Sequence, residues 1–251
     1  LTAGIETSGL NELKESLLQL AGWLEQSDGV RIVEHEIWPL IRLLDSMGLH
    51  LAKVDIRQNS GYLEKALAQM MVAAGVEDAN RYEEWSFEKR LDFLNRELSN
   101  PRPLTHASMS LPDEARETRA TFQVLSDHIH RFGADSLCCF IVSMTREVTY
   151  LLNVYVLAKE VGLTYLCEGS LKCDLHVTPL FETYNDLKNA PAITDRFLSH
   201  SCTQRSLRHS FGSSEPQLTV MLEYSDSNKD TGILASQWIL KKTQEHLLEV
   251  A

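Results

Sequence analysis

Four short apolar runs constrain the fold of this chain more than any other feature. They are "LHLAKVDIRQ" (49–58), "SLCCFIVSMTR" (136–146), "LHVTPLFET" (175–183) and "LTVMLEYSDS" (218–227). Each ends in polar or charged residues, and each leads towards a segment of helical periodicity. Strand, polar end and helix, repeated, is the pattern of a parallel sheet whose crossovers are helices. In a β/α barrel the chemistry gathers at the carboxyl ends of the strands, and all four polar clusters lie at that end. Four such runs do not close an eight-stranded barrel. The expected class is therefore α/β and helix-rich, part of a (β/α)8, TIM-like barrel with additional helices.

The rest of the chain reads mainly as helix. "NELKESLLQLAGWLEQ" (11–26) places Leu13, Leu17, Leu20 and Leu24 on one face. "VEHEIWPLIRLLDSMG" (33–48) ends on Gly48 and is expected to kink at Pro39. Further helices are predicted at 62–75, at 86–100 behind a serine cap, at 112–133 behind a proline and two acids, at 147–162 and at 235–250. Residues 100–110 are the best candidate for a long surface loop. No low-complexity linker divides the sequence, so one domain over residues 1–251 is expected. The chain begins on leucine and opens directly into helical pattern, which reads as a piece of a longer polypeptide.

Composition removes several classes of function. A net charge of −11 is the wrong sign for a nucleic-acid surface, although local arginines can still hold a small anion. No apolar run is long enough to span a bilayer, and no signal-peptide pattern opens the chain. The five cysteines show no C-x-x-C spacing. Cys138 and Cys139 sit in an apolar run and read as buried thiols, which fits a reducing, cytoplasmic setting. The nine histidines are scattered without metal-ligand spacing and read as structural.

The strand ends offer Asp55, Arg57 and Gln58; Ser143, Thr145 and Arg146; Glu182; and Asp226, Ser227, Lys229 and Asp230. Glu182 and Asp226, on different strands, supply the hard oxygen ligands that suit Mg²⁺ or Mn²⁺. Arg57 offers a planar fork for a phosphate or carboxylate, and Lys229 a compact cation for a second anion. The structural alternatives stand beside this reading. S-D-S-N-K-D is also the composition of a turn or a helix start. Asp55 and Arg57 could equally pair with each other.

At these strand ends the sequence resembles phosphoenolpyruvate carboxylase. The segments "GLHLAKVDIRQNS", "FIVSM", "VTPLFETYNDLKNAPAI" and "VMLEYSDSNKDTGILASQWIL" occur in that family's order, and residues 224–232 match its signature Y-S-D-S-x-K-D-x-G. The resemblance implies an enzyme that adds bicarbonate to phosphoenolpyruvate, giving oxaloacetate and phosphate, with Mg²⁺ or Mn²⁺. Bicarbonate attacks the phosphoryl group to give carboxyphosphate and the enolate of pyruvate, and the enolate captures the CO₂ released. It implies Glu182 and Asp226 as metal ligands, Arg57 as a substrate contact and Lys229 beside bicarbonate. It also implies a cytoplasmic homotetramer.

The sequence departs from that family in four places. There is no T-A-H-P-T segment with its histidine and no H-G-R-G-G loop. Glu223 stands where the signature has a leading glycine, and Thr149-Tyr150 where S-D is usual. The chain is therefore expected to correspond to the middle of such an enzyme and to lack turnover alone. The alternative is a divergent, non-catalytic member acting as a scaffold or assembly domain.

Overall fold

The computed structural model describes residues 4–50, 52–106, 108–134, 136–167, 169–208 and 216–250. Packing divides the chain into two units, residues 1–54 with 127–138, and residues 55–126 with 139–251.

In the first unit, α1 (Gly4–Glu25) precedes a helical run made of α2 (Val30–Ile32), a π-helical stretch (Val33–Ile37) and α3 (Trp38–Met47). Pro39 falls in the first turn of α3. Its ring nitrogen carries no hydrogen, so it is tolerated only where that donor is not needed. The wider π turns immediately before it accommodate the break. The helix predicted over 33–48 is thus present, and its proline is met by a change of helical register. Ala21, Val33, Ile37 and Ile41 form the core, with Leu17 and Leu24 packed against it. Leu13 and Leu20, placed by periodicity on the same face of α1, are instead exposed. Lys14 pairs with Asp45, joining α1 to α3.

The second unit holds most of the sheet. Its elements begin with β1 (Val54–Asn59), α4 (Ser60–Ala73), a 3-10 turn (Ala79–Glu84), α5 (Phe87–Glu97), α6 (Asp113–Phe132), β2 (Leu137–Ser143) and α7 (Val148–Lys159). There follow β3 (Thr164–Cys167), β4 (Ser170–Cys173), β5 (Val177–Phe181), α8 (Tyr184–Ser199), α9 (Ser201–Arg208), β6 (Met221–Leu222), α10 (Tyr224–Thr231) and α11 (Ile233–Val250). Some of these elements begin or end in the first unit.

The sheet order is β1-β2-β5-β6. Strands β2 and β5 run parallel with Phe140 opposite Val177, and β5 and β6 run parallel with Phe181 opposite Leu222. The Cys139 N–H donates to Asp55 Oδ1 (3.1 Å) and Ser143 Oγ to the Gln58 carbonyl (3.4 Å). Both strands advance in the same sense between these contacts, so β1 and β2 are also parallel. The protein is helix-rich α/β with a parallel four-stranded sheet. Strand β5 is buried at every position, as a strand covered on both faces must be. Helix α7 is buried along nearly its whole length and is apolar almost all round.

Three local readings change. The strand predicted over 218–227 is only Met221–Leu222, because Tyr224–Thr231 is helical with Glu223 at the N-cap position. The polar run therefore starts a helix. The hairpin β3–β4 carries little sequence signal: its two strands have four residues each, and Gly169 at φ 80° lies at the reversal. Cys138 is exposed and Cys139 half-buried, not buried thiols. The deeply buried part of β2 starts one residue later, at Phe140.

The loop expected over 100–110 carries no helix or strand at its described positions. It is anchored by the Glu160 carboxylate, which accepts from the Leu104 N–H (2.6 Å), the Thr105 N–H (2.8 Å) and the Thr105 hydroxyl (2.6 Å).

His200 is expected to give this unit a pH dependence. Its Nδ1 accepts the Cys202 N–H (3.3 Å) and its Nε2 lies 3.1 Å from Asn95 Oδ1, a pattern that suits the neutral ring. Burial holds its pKa below the ordinary imidazole value. A depressed folded pKa means that the stabilisation is complete above the unfolded value, about 6.5, and is lost as pH falls through the folded value. Urea denaturation of wild type and His200→Gln should show the variant losing less stability between pH 7.5 and 5.5. Equal losses would remove His200 as a source of acid sensitivity.

Candidate active site

The carboxyl end of β5 carries Glu182. The strand before it is buried, and the helix after it is fixed by a capping box: Thr183 Oγ1 accepts the Asp186 N–H (3.2 Å) and Asp186 Oδ2 accepts the Thr183 N–H (3.0 Å). Between these two constraints Glu182 is 4% exposed. A buried carboxylate needs donors, and it receives one on each oxygen. Arg57 Nη2, from β1, reaches Oε1 at 2.7 Å. The Met144 backbone N–H, just past β2, reaches Oε2 at 2.5 Å. Three adjacent strand ends thus converge on one carboxyl group.

Met144 makes its contact from a left-handed backbone, φ 57°, which costs a non-glycine residue of order 1–3 kcal/mol. Neighbouring bonds hold it there. Ser60 Oγ donates to the Met144 carbonyl (3.0 Å), and Thr145 Oγ1 donates to the Val142 carbonyl (2.8 Å).

Strand β6 lies next to β5, and the Glu223 N–H donates to the Phe181 carbonyl (2.9 Å). One turn into α10, Lys229 Nζ pairs with Asp226 Oδ1 at 2.9 Å. Both side chains are solvated, Lys229 at 74%. The hydrogen bond and charge of Asp226, with a smaller contribution from Glu223, raise the Lys229 pKa above its ordinary value. Asp230 Oδ2 accepts the Tyr184 N–H (3.0 Å), tying α10 to the start of α8. Ser227 is buried, and its hydroxyl contacts the Glu223 carbonyl and Ser236 Oγ.

Arg57, Glu182, Asp226 and Lys229 therefore all lie at the carboxyl ends of parallel strands, as two pairs on neighbouring ends. Arg57 pairs with Glu182 and not with Asp55, whose carboxylate takes the Cys139 N–H. Arg146 lies 3.6 Å from Asp186, so it serves the α8 cap region. The oxygen set fits a hard divalent cation. Each Glu182 oxygen has one donor and retains a lone pair, and carboxylate oxygens are the ligands that Mg²⁺ and Mn²⁺ select. Sequence reasoning missed the Met144 N–H, because every residue type offers that group. The positive φ that aims it has no glycine to advertise it.

Comparison with known proteins identifies the family. The sequence model of the family described as phosphoenolpyruvate carboxylase matches residues 4–251. A phosphoenolpyruvate carboxylase of Rhodothermus marinus is 35% identical over 244 residues, covering 94% of this chain and 25% of that protein. Those of Rhodopseudomonas palustris and a Synechocystis species are 38% and 36% identical, covering 84% and 86% of this chain and 22% and 23% of the relatives. The chain spans about a quarter of the length of the curated relatives it matches. By the extent of the family match, the chain belongs to the phosphoenolpyruvate carboxylase family.

Proposed function

We propose that these 251 residues form the central, metal- and anion-handling part of a phosphoenolpyruvate carboxylase. In this reading the four strands are half of a (β/α)8 barrel in a cytoplasmic homotetramer. The observation that carries it is the convergence of Arg57 and the Met144 N–H on buried Glu182, beside the strand end bearing Asp226 and Lys229.

In this proposal Glu182 and Asp226 hold Mg²⁺ or Mn²⁺. When bound, the cation supplies concentrated positive charge for oxyanion character that develops on the substrate. Arg57 is 51% exposed and uses one nitrogen on Glu182, so its remaining donors are available to the phosphate or carboxylate of phosphoenolpyruvate. Lys229, a compact cation that is 74% exposed, would neutralise bicarbonate. Among the described residues no helix is long and apolar enough to cross a membrane.

A second reading, a non-catalytic scaffold, is favoured by one observation: Lys229 is already paired with Asp226 and has Glu223 as a further acidic neighbour. Lys229→Ala in the complete enzyme separates the two. Loss of a cation that faces an anion is expected to cost roughly 10- to 100-fold in rate or affinity. The loss should fall on bicarbonate kinetics with the melting temperature unchanged, since Lys229 is solvated. Unchanged bicarbonate kinetics with a lower melting temperature would favour a structural pair. The 251-residue chain alone is expected to form no oxaloacetate in a coupled assay, because phosphoryl transfer needs several groups positioned together.

A further inference from the structure

A buried arginine on α5 is linked to the Met144 loop. Arg90 is 7% exposed. Its Nη1 donates to Glu64 Oε1 on α4 at 2.5 Å, and its Nη2 to Glu147 Oε2 at 2.7 Å. Glu147 sits between β2 and α7, three residues beyond Met144, and also accepts from Thr149 Oγ1 (3.2 Å). The Tyr150 ring lies 5.8 Å from the Arg90 guanidinium carbon. Thr149-Tyr150 is the pair that departs from the usual S-D of the family, so the departure belongs to this cluster.

Helix α4 therefore grips the loop at two points. Ser60 bonds the Met144 carbonyl directly, and Glu64 reaches Glu147 through Arg90. Ser60 and Glu64 are four residues apart, on one face of the helix. Between the two grips lie Met144, with its left-handed backbone, and the N–H that meets Glu182. Burial opposes the charge on Arg90, and the Glu147 and Glu64 carboxylates more than offset it.

We propose that Arg90 is a positioning residue for the Glu182 carboxylate, acting through Glu147 and the backbone of Met144. The proposal rests on the reading of Glu182 as a metal ligand. Groups that bond a metal ligand directly, as the Met144 N–H bonds Glu182, typically contribute 10- to 100-fold in affinity, and Arg90, acting from further out, is expected to contribute up to about 10-fold. Arg90→Lys loses the planar fork that reaches two carboxylates at once. Glu147→Gln keeps the shape and one acceptor oxygen but removes the charge, so it covers the case in which an Arg90 variant fails to fold.

Two measurements on the 251-residue chain keep this proposal separate from the reading it rests on. Amide hydrogen exchange reports the Met144 N–H, and Mn²⁺ titration followed by electron paramagnetic resonance reports the metal. Both variants should speed Met144 exchange at least about 10-fold, leave Ile141 and Val142 unchanged, and weaken Mn²⁺ binding by up to about 10-fold, less than loss of a direct partner of the ligand would. Met144 exchange unchanged in both variants overturns the proposal. So does an equal rise at Met144, Ile141 and Val142, which is general loosening. Glu182→Gln binding Mn²⁺ like wild type, with Met144 still loosened by the Arg90 variant, overturns the metal reading and with it the role of Arg90 toward a metal ligand.

Discussion

Arg90→Met is expected to destabilise the chain by about 3 kcal/mol, the lower part of the range for breaking a buried ion pair. The variant leaves Glu64 buried without its cation and Glu147 one donor short. Glu147 is one-third exposed, so water screens part of its loss. Burial already raises the Glu64 pKa, with Arg90 opposing it, and without the arginine that carboxyl should take up a proton more readily. Replacing a buried pair by apolar groups of similar volume is often neutral. The double variant Glu64→Leu with Arg90→Met should therefore recover most of the loss. Urea denaturation of the chain and both variants measures this, and a loss below about 1 kcal/mol for Arg90→Met would show the cluster to be solvated.

Glu182→Gln is expected to produce the largest functional loss. The amide keeps the volume of the carboxyl but has one acceptor oxygen and one donor nitrogen. Both native contacts are donors, Arg57 Nη2 and the Met144 N–H. One of them must then face an NH₂ group, and an unsatisfied buried donor costs about 1–3 kcal/mol. The charge that would bind a cation is also gone. Mn²⁺ affinity should fall at least about 100-fold, more than the 10- to 100-fold typical of an outer partner. Met144 should exchange its amide hydrogen faster in the same variant. Retained Mn²⁺ affinity would mean that the buried carboxylate serves only to fix the strand ends.

The parts of this arrangement that sequence reveals are those written in side-chain type. Apolar runs ending in charge marked β1, β2 and β5, and they brought Arg57 and Glu182 to the same end of the sheet. Asp226 and Lys229 were marked too, but at the end of a ten-residue strand where the structure has two strand residues and then a helix. Residue type decides that case: the run S-D-S-N-K-D is poor in strand formers and rich in residues that favour turns and helix starts, so the extended segment stops at Leu222. The Met144 N–H stayed hidden because its aim depends on a backbone angle imposed by Ser60 and the buried loop. Arg90 stayed hidden for another reason. On a helix with charges on several faces, one buried arginine looks like a solvated one until its partners on α4 and beyond β2 are in place.

The central claim is that Glu182 and Asp226 hold one divalent cation between neighbouring strand ends. Mn²⁺ titration of the wild-type chain, Glu182→Gln, Asp226→Asn and the double variant tests it most directly. One site per chain is expected. Each single variant should weaken it, and the double variant should lose less than the sum of the two, since the residues serve one ion. An Asp226→Asn chain that binds Mn²⁺ as tightly as wild type would leave Asp226 and Lys229 as a surface ion pair and Glu182 without a partner ligand.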